Sequence, residues 1–97
     1  MVVTYRVERS LTGLTEAELN TLGDTNWLLS QVVEEDIGYQ YIFTDHGSAV
    51  GYRVRFAVTG LTEAQIQLHG DDEYTLVAVV PKDLGFQYIF WIEEGGV

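Results

Sequence analysis

Apolar and polar positions alternate near the start of the chain, where Val3, Tyr5 and Val7 interleave with Thr4, Arg6 and Glu8. The same rhythm returns at Tyr52, Val54, Phe56 and Val58, interleaved with Arg53, Arg55, Ala57 and Thr59. A period of two predicts a strand with one buried face. The pattern then changes. Thr15 with Glu18, and Thr62 with Gln65, have the spacing of a capping box at a helix start. Leu14 can staple to Leu19, and Leu61 to Ile66, while Glu16 and Glu63 complement the helix dipole. Each helix is predicted to run about two turns and to end near Gly23 or Gly70. Helices that short need a sheet to pack on. Residues 65–69 also alternate like a strand. Residues 27–33 and 74–80 are rich in β-formers and predict the next strand. Turn residues at 34–38 and 81–85 lead into a returning arm at 39–43 and 86–92.

These elements occur twice because the chain is an internal duplication. With a constant offset of 47 and no gap, 20 of the 39 residues from Tyr5 to Phe43 are identical to those from Tyr52 to Phe90. The blocks include TGLTEA at 12–17 and 59–64, and QYIF at 40–43 and 87–90. The expected fold is α+β: two tandem β-α-β-β repeats forming a mainly antiparallel sheet with two short helices, pseudo-twofold symmetric. The expected organisation is a single domain over 1–97. It contains repeats 2–43 and 49–90, a joining loop 44–48 and a short C-terminal tail. One six-stranded sheet and two stacked three-stranded sheets are both compatible with this pattern.

The sequence Tyr5-x-Val7, then Leu19-Asn20-x-Leu22-Gly23, Trp27-x-Leu29 and Tyr41-Ile42-Phe43, resembles the small β-α-β-β domains of unknown function of bacterial and phage proteins. Those are single copies with a tryptophan entering the second strand. The second repeat departs from them, with Tyr74 at the tryptophan and His69 at Leu22. The resemblance rests on core and turn residues. It implies a fold and no catalytic residues. It also suggests a minor structural component of a phage particle.

Composition narrows the function classes. A hydrophobic fraction of 46% in 97 residues suits one folded domain. No cysteine is present, which excludes disulfides and thiolate metal sites. The first residues lack a basic region followed by a long apolar stretch, so no signal peptide is expected. No run reaches the length of a membrane-spanning helix. Fifteen acidic and five basic residues give a net charge of −10. That charge opposes direct nucleic-acid binding and association with anionic membranes. It favours solubility or a basic partner.

Candidate chemistry is sparse. His46 and His69 do not recur in the other repeat, where Glu93 and Leu22 take their places. A duplicated catalytic site would carry its histidine twice. The acidic groups at 34–36, 71–73 and 93–94 lack the ligand spacing of a calcium loop. No glycine-rich phosphate loop occurs, and Gly95-Gly96 opens no helix. The aromatic rows Tyr39, Tyr41, Phe43 and Phe86, Tyr88, Phe90 read as a cross-strand core.

The repeats differ mainly in polarity. Phe56 replaces Arg9, Val77 replaces Ser30, Ala78 replaces Gln31 and Trp91 replaces Thr44. A last strand apolar on both faces predicts a subunit contact at Phe56, Val77, Phe90, Trp91 and Ile92. The expected function is therefore a non-enzymatic structural or assembly protein. A bacteriophage virion component, acting as capsid decoration, connector or tail, is the expected setting. No cofactor and no metal are expected, and the partners are other protein subunits in a homo-oligomer or larger particle. The alternative is an acidic binding or inhibitor module that mimics nucleic acid or captures a basic protein, located in the cytoplasm. A third reading is a small-molecule sensor or enzyme that uses a cleft between the repeats.

Overall fold

The computed structural model describes residues 2–94. The elements are β1 (Tyr5–Ser10), α1 (Glu16–Asp24), β2 (Trp27–Glu34) and β3 (Tyr39–Asp45). The same series follows as β4 (Val50–Ala57), α2 (Glu63–Asp71), β5 (Thr75–Lys82) and β6 (Gly85–Glu93). The fold is α+β, with two tandem β-α-β-β units. Each unit builds its own three-stranded sheet, in the orders β1-β3-β2 and β4-β6-β5. All pairings are antiparallel. The strands joined through each helix do not pair with one another. The returning arm of the hairpin instead inserts between the two strands that the helix connects.

Local sequence explains most boundaries. Both capping boxes form, with Thr15 and Thr62 accepting from the residue three positions on. Glu18 and Gln65 reach back to the cap amides at 2.9 and 2.8 Å. The helices do not end through their glycines. Asn26 and Glu73, at equivalent positions, take the left-handed conformation just beyond the cap. Both second strands carry a bulge at the same place, Ser30 and Val77. The joining segment is shorter than the pattern predicts, because β3 extends to Asp45 and β4 begins at Val50. The expected tail from residue 91 begins as strand, since β6 runs to Glu93. Gly95-Gly96 lies outside the described residues.

The two sheets stack, and the stacking is not twofold. Cross-strand partners share a face. Tyr41 and Phe43 therefore lie with Leu29 and Val32 on one face of the first sheet. Ile89 and Gln87 lie with Tyr52, Val54 and Val80 on one face of the second, although Val54 and Ile89 pair at one level and Val80 and Gln87 at the next. These two faces meet in a core that contains Leu14, Leu19, Leu29, Tyr41, Phe43, Val50, Tyr52, Val80 and Ile89. In repeat coordinates they are opposite faces. The first repeat contributes its Tyr41–Phe43 face, and the second buries the reverse of its Tyr88–Phe90 face. The repeats are stacked head to tail, and the expected pseudo-twofold axis is absent. Three-stranded sheets of this size are marginal alone, so the stacking is what stabilises both.

Candidate functional site

Helix α1 docks along the open edge of β4. The Asn20 carboxamide pairs with both backbone groups of Tyr52, accepting from its N–H at 2.7 Å and donating to its carbonyl at 3.2 Å. Glu16 accepts from the Val54 N–H at 2.8 Å. An edge strand presents unpaired backbone groups, and α1 satisfies them with side chains. The helix lies so close that a Cβ on Gly23 would be built into the Val50 carbonyl.

Two hydroxyls tie the faces together. The Tyr52 hydroxyl accepts from the Leu29 N–H at 2.6 Å and donates to the Trp27 carbonyl at 2.8 Å. Burial pushes its pKa up to about 12, with the Leu29 N–H pulling it back. The Tyr41 hydroxyl accepts from the Leu14 N–H at 3.0 Å and donates to Gln87 at 3.4 Å. Gln87 in turn donates to the Leu14 carbonyl at 3.2 Å. Gln87 is the buried polar residue of the core, and this closed network satisfies it. Burial raises the Tyr41 pKa as well.

The corresponding surfaces at the two ends of the stack have no such cover. Tyr52 is 3% exposed and its equivalent Tyr5 is 63% exposed. Leu29 is 1% exposed and its equivalent Leu76 is 37% exposed. The alternation in β1 marks a buried face in the sequence, yet Val3, Tyr5 and Val7 are exposed. Among the described residues no side chain of another element hydrogen-bonds to Tyr5 or Val7. Helix α2 has no fully buried residue. It rests on its own sheet through His69, whose ring lies 4.4 Å from that of Phe90. Arg53 fixes this corner, 3.1 Å from both His69 Nδ1 and Asp72, and its guanidinium lies over Tyr74. Burial, then Arg53 and Arg55, lower the His69 pKa.

The contact residues expected from the sequence divide between the two faces. Phe90 is buried beneath His69. Trp91 packs against the core of its own chain, edge-on to His46. Val77, at the bulge, also packs against the core. Ile92 is half-buried, and Phe56 is exposed. The extra apolar surface of the second repeat thus serves mostly the contact between the repeats. The reason is that the Trp91 face is the one turned toward the first sheet.

A groove of about 670 Å³ opens where the repeats meet, lined by residues that include Leu11, Tyr39, Phe56, Lys82 and Leu84. Lys82 spans it, donating to the Thr12 carbonyl at 2.6 Å and lying over the Tyr39 ring. Burial lowers the Lys82 pKa. Glu34, Glu35, Asp36 and Asp83 line it too, and no nucleophile–base pair faces them. His46 Nε2 lies 3.3 Å from Glu93 but is poorly aligned for a hydrogen bond. The Ser48 hydroxyl, donating at 2.7 Å, holds the Glu93 pKa down. Among the described residues no three His, Asp or Glu side chains are placed to hold a metal, and no helix is long and apolar enough to cross a membrane.

The residues that join the two repeats carry a signal in the sequence, because Tyr52, Gln87, Leu14 and Gly23 all stand in the repeated blocks. Their pairing across the repeats could not be read, since each occurs twice and only one copy is used. Compared with known protein families, curated proteins and solved structures, the chain matches none.

Proposed function

We propose that this chain is a non-enzymatic structural protein that works through protein–protein contacts within a larger assembly, such as a bacteriophage virion. The observation that carries this is the uncovered apolar surface at both ends of the stack. Val3, Tyr5 and Val7 lie exposed on one end, and Leu76, Val79 and Phe86 on the other. Exposed apolar patches of this kind mark contact sites. The acidic surface keeps such a chain soluble until the partner is met.

The test is particle size, measured by light scattering and native mass spectrometry across protein and salt concentration. Association that strengthens with salt is expected, because screening relieves repulsion between chains of net charge −10. A chain that never associates and never co-purifies with a larger particle defeats the reading. Tight binding to a basic protein that weakens with salt would favour the acidic-inhibitor alternative instead.

A further inference from the structure

The intrachain contact is heterologous, so each of its two surfaces exists in a second, unused copy. We infer that the chain docks onto further copies of itself head to tail, with α2 and its sheet face covering the β1 edge and outer face of the next chain. This deepens the assembly reading and rests on it, by naming the partner and the mode of contact.

Four observations carry it. The first is retention at unused positions. The helix-side anchors Leu14, Glu16, Leu29 and Tyr41 recur as Leu61, Glu63, Leu76 and Tyr88. The receiving residues Val50, Tyr52, Val54 and Gln87 recur as Val3, Tyr5, Val7 and Gln40. These residues of both halves of the contact are therefore present at the two ends of the stack.

The second is Gly70. Gly23 is required by the close approach of the Val50 carbonyl, but a Cβ on Gly70 meets only the end of the flexible Gln67 side chain at 3.3 Å. Nothing among the described residues requires glycine at that helical position. The docking does, because Gly70 would face the Val3 carbonyl of the next copy.

The third is the half-built hydroxyl network. The Tyr88 hydroxyl already accepts from the Leu61 N–H at 3.1 Å, as Tyr41 does from Leu14. Its own proton has no acceptor among the described residues. Gln40 of a second copy would supply one, as Gln87 does for Tyr41.

The fourth is the set of departures: Asn20, which clamps the Tyr52 backbone, becomes the one-carbon-longer amide Gln67, and the others are electrostatic. Within the chain Arg55 lies 3.7 Å from Glu16. Between chains the same positions are Glu8 and Glu63, a like-charge pair. Lys82, which reaches the Thr12 carbonyl, becomes Glu35. The contact between chains is thus a weaker, salt-dependent version of the contact within one. Repetition of a heterologous step gives a ring if its rotation closes and a filament if it does not.

The experiment compares wild type with Gly70→Ala, Tyr5→Lys and Glu8→Arg by analytical ultracentrifugation across salt, with circular dichroism to confirm folding. Wild type is expected to assemble more strongly as salt rises. Gly70→Ala and Tyr5→Lys are expected to keep the fold and weaken association by about tenfold or more, because overpacking and a buried charge each oppose docking. Mixed together, they should form a one-to-one dimer and nothing larger, since each retains the end that the other lacks. Glu8→Arg restores the attraction that Arg55 supplies internally, and should lower the concentration or salt needed for assembly. Wild-type assemblies indifferent to all three substitutions overturn head-to-tail docking and leave the assembly reading standing. A wild type and a Glu8→Arg variant that both stay monomeric overturn self-docking. If those monomers also fail to join any larger particle, the assembly reading falls with it.

Discussion

Helices α1 and α2 have the same length and the same capping-box start, yet different fates. Helix α1 is clamped between its own sheet and the edge of β4, and buries Leu19 and Gly23. Helix α2 lies on its own sheet only, and leaves Leu68 exposed. The difference lies in the neighbours and in the helices themselves, since Asn20 and Leu22 of α1 become Gln67 and His69 in α2. The edge of β4 stacks on α1, whereas no strand edge lies against α2 in this way among the described residues. The same capping signal therefore starts a core element in one half and a surface element in the other.

That asymmetry can be broken most forcefully at the paired glycines. Gly23→Ala should cost about 1–3 kcal/mol, as overpacking against the backbone of β4 does. Gly70→Ala should leave the chain as stable or raise its stability by up to about 1 kcal/mol, because alanine is the better helix former. Urea unfolding of the two variants, both at low protein concentration, measures the contrast directly. Equal losses would mean that the two helices are held alike.

The tyrosine pair sharpens the comparison further. Tyr52→Phe strands the Leu29 N–H and Trp27 carbonyl and should cost about 1–2 kcal/mol, while Tyr5→Phe should cost almost nothing in the monomer. The same hydroxyl predicts an alkaline limit. Its folded pKa, about 12, is raised above the ordinary value of 10.0. The stability it contributes is fully present below pH 10 and is lost as pH rises toward 12. Thermal melts across that window should fall more steeply for wild type than for Tyr52→Phe.

The smallest effect is expected at His69. Its folded pKa lies below the ordinary 6.5 through burial and the neighbouring arginines, with Asp72 acting in the opposite direction. A depressed histidine favours the neutral form in the folded state. Its contribution to stability is therefore intact at neutral pH and declines as pH falls below about 6.5. His69→Leu, which restores the residue at the equivalent position 22, should flatten that decline. Hydrogen exchange in α2 is the sensitive readout.

Much of the architecture is legible in the sequence. The offset of 47, the capping boxes and the alternating strands specify two β-α-β-β units, because such signals are local and each repeats. The groove at the seam was anticipated only as a cleft between repeats. The hydroxyl networks were not legible, since Tyr41 and Gln87 lie 46 residues apart and occur in both repeats. Trp91 illustrates the same limit. Its apolarity pointed to a contact, and the contact is with the first half of its own chain.

The sequence by itself determined the secondary elements, the sheet-forming hairpins and the equivalence of the halves. These depend on periodicity, capping and turn chemistry within a few residues. Only the tertiary structure decided which face of each sheet is covered. In this chain both faces of each repeat are apolar enough to be buried, so periodicity cannot choose between them. The choice was made by stacking, which brought the Tyr41–Phe43 face of one repeat against the Tyr52–Ile89 face of the other. It thereby turned a symmetric duplication into a directional one.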